Sequence, residues 1–244
     1  MPTSLLNPAM AAAALAALVL PLAGPRVPDV DLRGNDTRSP VVTCQGLPAV
    51  SVGAGQTFHG TDGDDVIAIV GPDARVYGHD GDDVICALGG HTGSKIHGGD
   101  GADDILVDGS HLVFGEAGDD LIIVNGGFNE AWGGDGDDII NGAGAAELLA
   151  FGNAGNDIIN GSPGPDWLGG YDGNDLILGW GGDDLIFGMD GDDDLRGGNG
   201  FDTIWGSGGH DACIDFAGPV HGADLTDCED IAITLGGGIG GLSD

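Results

Sequence analysis

Along this chain an apolar residue returns every ninth position, and in the C-terminal half nothing interrupts the rhythm. Seven units run back to back from Gly152 to Ile214, starting at Gly152, Gly161, Gly170, Gly179, Gly188, Gly197 and Gly206. In each the fourth place is glycine, the sixth aspartate and the eighth apolar, as in GYDGNDLIL (Gly173, Asp175, Ile177) and GWGGDDLIF (Gly182, Asp184, Ile186). Glycine permits a loop with φ > 0, aspartate offers oxygens, and an apolar residue between outward neighbours turns inward on a strand. Five further units start at Gly60, Gly78, Gly98, Gly115 and Gly133, twelve in all. A strict short period of this kind predicts stacked short strands and tight loops, a solenoid. The inward column reads Ile67, Ile85, Ile105, Ile122, Ile140, Ile159, Ile177, Leu195 and Cys213, so the core is a thin seam between two sheets.

The phrase resembles the RTX family, the hemolysin-type calcium-binding nonapeptide repeat, whose unit is G-G-x-G-x-D-x-U-x with U a large aliphatic residue. The resemblance covers roughly residues 60 to 214. It implies an all-β fold, a right-handed parallel β-roll with short N- and C-terminal caps, in which two nonamers make one coil. It also implies calcium between the loops of successive coils, held by sixth-place aspartates and loop carbonyls.

Units eighteen residues apart then stack on one side. One side collects Gly60, Gly78, Gly98, Gly115, Gly133, Gly152, Gly170, Gly188 and Gly206, with gaps of 18, 20, 17, 18, 19, 18, 18 and 18. The other has good motifs only at Gly161, Gly179 and Gly197; its earlier members, such as IVGPDARVY and VNGGFNEAW, lack the glycine-x-aspartate core. The roll is expected to be asymmetric. Its long column of candidate ligands is Asp65, Asp83, Asp103, Asp120, Asp138, Asp157, Asp175, Asp193 and Asp211, and its short one Asp166, Asp184 and Asp202. Strands ~4.8 Å apart bring these carboxylates together, and like charges facing across a sheet destabilise it unless neutralised. Calcium suits them, because it takes six to eight oxygens in flexible geometry, whereas magnesium demands tight octahedra. Nine long-side loops leave eight gaps and three short-side loops two, so about ten ions fill every gap. The third-place acids Asp62, Asp80, Asp100, Asp135 and Asp190 are read as solvated.

Charge adds an exclusion. Forty acidic residues against six basic ones give a formal charge of −34, which repels nucleic acid and anionic membranes. The same composition fits a disordered polymer, but the apolar residues fall at fixed places, so disorder without cation and order with it is the preferred reading.

The segment Met10–Ala23 is alanine- and leucine-rich and shorter than the ~20 residues of a membrane span, so residues 1–23 read as a secretory signal peptide. Residues 1–9 hold no Lys or Arg, and a short membrane anchor is the competitor. The chain is expected outside the cell, with no membrane insertion after signal removal. An apolar tail, Ile231 to Leu242, leaves a C-terminal export signal open. Residues 24–43 carry Pro25, Pro28 and Pro40 and read as a linker, 44–59 as an N-terminal cap, and 215–244 as a C-terminal cap and tail.

Four cysteines in an exported chain suggest two disulfides, with three pairings to choose from. Cys213 and Cys228 bracket the last coil, and pairing them leaves Cys44 for Cys86. Free thiols or zinc are weaker readings, since no C-x-x-C is present.

The residue before each long-ladder motif is His59, Tyr77, His97, Phe114, Trp132, Phe151, Gly169, Phe187 or Trp205. This column should face outward as a stripe. It is either a self-stacking ladder that stabilises the strands or a partner surface, formed by Tyr77, Phe114, Trp132, Phe151, Phe187 and Trp205, for a glycan or protein. The seventh-place residues Val66, Val84, Leu121, Ile139, Ile158 and Leu176 form a second outward column, a contact surface or a seat for a terminal segment.

Enzyme signatures such as H-E-x-x-H, G-x-S-x-G and the P-loop are absent, and the seven histidines, among them His91 and His97, are scattered. The chain is therefore read as non-enzymatic: a secreted calcium-binding repeat protein whose roll folds on binding calcium, with a structural or interaction role. An extracellular adhesion or saccharide-binding protein is the alternative. A remnant or accessory of a secreted hydrolase or toxin is the third reading.

Overall fold

The computed structural model describes residues 42–215, Cys228, and the backbone of Asp224–Thr226 and Asp230–Ile233. The segment read as a signal peptide, and all but the end of the segment read as a linker, lie outside the described residues. Among these residues no helix occurs; two parallel sheets face each other, and the chain passes from one to the other twice per coil.

One sheet stacks Thr57–His59 and Arg75–Asp80, then the second halves of four long strands, then Trp167–Asp172, Leu185–Asp190 and Thr203–Gly208. The four long strands are Val84–Asp100, Asp104–Ala117, Leu121–Asp135 and Ile139–Ala154, and each runs round a corner. Their first halves belong to the opposite sheet, with Val50–Val52, Val66–Ile69, Ile158–Asn160, Leu176–Gly181, Asp194–Asn199 and Ala212–Asp215. The pairings Tyr77↔His97, His97↔Phe114, Phe114↔Trp132 and Trp132↔Phe151 reproduce the irregular gaps read from the sequence.

Those irregularities have a place. Shifts in register occur between Ala87 and His91, Thr92 and Lys95, Asp108 and Leu112, and Asn141 and Gly144. All four lie at the corner where the aspartate motif is missing. Extra residues are taken up there by bulges, and the corner carrying the long aspartate column keeps a constant geometry.

The inward column is Ile67, Ile85, Ile105, Ile122, Ile140, Ile159, Ile177, Leu195 and Cys213, each at most 1% exposed. Facing it are Val76, Ile96, Val113, Ala131, Ala150, Leu168, Ile186 and Ile204, all fully buried. Each isoleucine withdrawn from water stabilises the fold by about 1.5–3 kcal/mol, and the seam repeats that gain in every coil.

The roll extends past 60–214 at both ends. Val50–Val52 and Thr57–His59, within the stretch read as a cap, already form a coil, with Val52 buried and Phe58 packed against the core. The cap proper is an antiparallel pair, Thr43–Cys44 with Leu47–Pro48. At the other end Asp224–Thr226 and Asp230–Ile233 continue the two sheets. Disulfides join Cys44 to Cys86 and Cys213 to Cys228, tying each end to the roll. Such ends expose strand edges that need managing.

Candidate functional site: the aspartate columns

Each long-side loop after the first turns back through two residues with positive φ, at its second and fourth places. His79 (84°) and Gly81 (113°) do this in one coil, Glu116 (84°) and Gly118 (128°) in another. A β-carbon on Gly118 would overlap the carbonyl oxygen of Gly101 in the coil before, so the stacked loops admit only glycine at the fourth place.

This turn carries the sixth-place aspartate into the loop, where its two oxygens have different fates. Oδ1 accepts a hydrogen bond from the amide of the sixth-place aspartate one coil earlier. The distance is 2.8 Å from Asp65 to Asp83, Asp83 to Asp103, Asp103 to Asp120, Asp120 to Asp138, Asp138 to Asp157, Asp157 to Asp175 and Asp175 to Asp193. From Asp193 to Asp211 it is 3.0 Å. On the short side Asp166 donates to Asp184 at 2.9 Å and Asp184 to Asp202 at 3.0 Å.

Oδ2 is buried in Asp83, Asp103, Asp120, Asp138, Asp157, Asp175, Asp184, Asp193 and Asp202 without any hydrogen-bond partner. It points to a defined place. A β-carbon added to Gly78 would overlap both Asp83 Oδ2 and the carbonyl oxygen of Gly98, and Gly98, Gly115 and Gly133 repeat the geometry with Asp103, Asp120 and Asp138. In these coils a buried carboxylate oxygen and a carbonyl oxygen of the next coil thus both pack against the first-place glycine. A buried carboxylate oxygen that no donor reaches is costly unless a hard cation or a proton neutralises it.

Burial is the main reason these carboxyls hold protons, reinforced by neighbouring carboxylates and opposed by the backbone amide. Asp103, Asp120, Asp138, Asp157 and Asp193 are raised to about 7, Asp184 to about 8, and Asp175 and Asp202 to about 6. Asp83 and Asp166 are raised as well, again mainly by burial. At neutral pH an unneutralised column is therefore costly.

The first aspartate of each column differs. Asp65 Oδ2 accepts from the amide of Thr61 at 2.6 Å and from its hydroxyl at 3.0 Å. Asp166 Oδ2 accepts from the amide of Ser162 at 2.5 Å, while the Ser162 hydroxyl donates to Oδ1 at 2.7 Å. Sequence reasoning missed these two caps. Their signal was a hydroxyl residue at the second place of the first loop in each column.

It also missed an outer ladder at the fifth place. The amides of Ala102, Asp137, Asn156, Asp192 and His210 donate to Asp82, Asp119, Asp137, Asn174 and Asp192 of the preceding coil. Asn156 donates to Asp137 from its side chain too, and these backbone and side-chain bonds lower the Asp137 pKa. In the corner lacking aspartates, Ser94 and Asn129 take the part of the sixth-place Oδ1, accepting from the amides of Ala74 and His111 one coil earlier. The third-place acids are exposed.

Among the described residues no group of three or more His, Cys, Asp or Glu side chains converges as a metal cluster. The columns instead offer one carboxylate oxygen per loop beside backbone carbonyls. His97 turns its Nδ1 to Glu116 at 2.8 Å rather than to His91. Burial lowers the pKa of His111, whose Nε2 lies 3.3 Å from the Asp108 carbonyl oxygen.

The outward aromatic column stacks on itself. Ring centroids are 4.8 Å apart for His59–Tyr77, Tyr77–His97 and His97–Phe114, 4.9 Å for Phe114–Trp132 and 4.7 Å for Phe187–Trp205. Trp132–Phe151 is tilted at 5.9 Å, and beside Gly169 the ring of Tyr171 meets Phe151 edge-on at 5.7 Å. Ring faces are spent on neighbouring rings, as in a ladder that stabilises the strands. The seventh-place column is partly covered, since Val66 and Val84 pack beneath the cap with Cys44, Cys86 and Leu106, while Ile139 remains 39% exposed.

The fold and its acidic loops define a class, the parallel β-solenoid built from calcium-binding repeats. A family model, the RTX calcium-binding nonapeptide repeat, matches four copies at residues 75–92, 114–145, 151–186 and 187–214, so the roll carries RTX calcium-binding repeats. No curated protein and no solved structure matches it.

Proposed function

We propose that this is an exported calcium-binding protein whose roll assembles as calcium enters between successive loops, and that its role is structural or interactive rather than enzymatic. The observation that carries the reading is the row of buried Oδ2 atoms that no hydrogen-bond donor reaches, each packed against the first-place glycine of its own loop.

The residues divide the work. Asp83, Asp103, Asp120, Asp138, Asp157, Asp175, Asp193 and Asp211 would hold the ions of the long side with the first-place carbonyls, and Asp184 and Asp202 those of the short side. A bound calcium supplies positive charge and accepts several oxygens in flexible geometry. Fourth-place glycines let the loops stack, and the amide bonds to Oδ1 fix each carboxylate so that Oδ2 faces the gap. Thr61 and Ser162 close the columns at their first members, which no earlier aspartate loop precedes. Because the gaps exist only in the stacked coil, binding free energy is folding free energy. Two disulfides and the apolar segment Met10–Ala23 support a location outside the cell.

Circular dichroism during a calcium titration of the chelator-treated chain tests this. A rise of β signal with calcium is expected, and an unchanged spectrum up to millimolar calcium overturns it.

A further inference from the structure

The aromatic ladder uses its ring faces on itself, so a flat ligand must find its ring elsewhere. Trp180 offers one. It is 55% exposed and stands in an open groove of about 520 Å³ with Gly161, Pro163, Gly181, Gly182 and Asn199. That volume falls within the ~300–1,000 Å³ usual for small-ligand sites.

The fold does not ask for this indole. At the second place of the short-side loops Gly198 holds φ 112° and Ser162 stands outside the positive range, whereas Trp180 holds 72° with a bulky side chain. Left-handed backbone disfavours such a residue, and its ring makes up no part of the buried core. A β-carbon on Gly181 would meet nothing nearer than 3.6 Å, so the floor between Trp180 and Asn199 is open. One coil on, Phe201 is also exposed, at 56%.

The lining decides the ligand class. No charged side chain lines the groove, although the chain carries a net charge of −34. An acidic ligand is repelled by that field, and a cationic one finds no carboxylate in the groove. What remains is an apolar ring face beside an amide side chain and glycine-rich backbone that donate and accept hydrogen bonds.

We infer that this groove binds a neutral pyranose unit of a saccharide chain, with the C–H face of the sugar on Trp180 and its hydroxyls toward Asn199 and the loop backbone. The inference rests on the calcium-assembled roll, because the groove spans loops of neighbouring coils.

The test uses the full chain in calcium, with cellohexaose as probe, an alginate hexamer as the acidic comparator and a proline decapeptide as the alternative occupant. Tryptophan fluorescence and calorimetry should show cellohexaose binding, weakened about tenfold or more in Trp180→Ala and largely kept in Trp180→Phe. Phe114→Ala, in the ladder, should bind as the parent does. Absence of cellohexaose binding by the folded chain, equal binding by Trp180→Ala, or binding of the alginate hexamer or the peptide instead would each overturn the inference. Circular dichroism of the same samples separates the two readings. A chain that stays unfolded in calcium defeats the calcium reading and the groove with it, whereas a folded chain that ignores cellohexaose defeats the groove alone.

Discussion

The amide of Asp138 donates to Oδ1 of Asp157 at 2.8 Å, across the gap between two coils, while Oδ2 of Asp157 is buried without a partner. One oxygen builds the stack, and the other is the one the proposed function assigns to calcium. Asp157→Asn keeps an oxygen for the amide and removes the charge. Calorimetry should then count one or two fewer ions, and the calcium midpoint for folding should rise. Asp137→Asn, on the exposed fifth place, should leave both unchanged.

The raised carboxyls set a dependence on pH. An aspartate in the unfolded chain ionises near its ordinary 3.8, whereas Asp103, Asp120, Asp138 and Asp157 in the folded, metal-free chain hold protons up to about 7. The folded form therefore binds more protons in that window, so without calcium its stability is greatest in acid and is lost as pH rises from about 4 to about 7. Calcium needs the ionised form, so binding near pH 7 should release protons and weaken as pH falls. Calorimetry in buffers of different ionisation enthalpy measures the release. Chelated protein should show more β signal at pH 5 than at pH 8.

Thr61→Val removes the hydroxyl that caps Asp65. A buried group losing a partner costs about 1–3 kcal/mol, and because Asp65 is partly exposed the lower end is expected. Thermal unfolding in saturating calcium should show a lower midpoint with the ion count unchanged.

Trp132 stacks on Phe114 at 4.9 Å and lies tilted against Phe151. Trp132→Ala should cost roughly 1–3 kcal/mol from lost area and ring pairing, again with the ion count intact. Denaturant unfolding of the calcium form provides the measurement.

Much of the architecture was legible in the nonamer. Ile122 and Ile140 fall at the eighth place and are fully buried, and sorting the units in pairs gave the pairing of Phe114 with Trp132 although the coils vary in length. That works because the aspartate corner is sterically constant. The extent of the roll was harder to read, because Val50–Val52 and Thr57–His59 form a coil from strand character alone, without a loop motif to announce it. The caps were hidden for another reason: Thr61 and Ser162, which cap, both lack the left-handed φ that His79, Glu116 and Asn153 hold at the same second place. Conformation, not residue type, makes the cap.

The calcium stoichiometry of the folded chain tests the central claim most directly. Native mass spectrometry or calorimetry should give about ten ions, eight from the gaps among nine long-side loops and two from those among three short-side loops. A count near four on each side, or no calcium retained at all, would contradict the account.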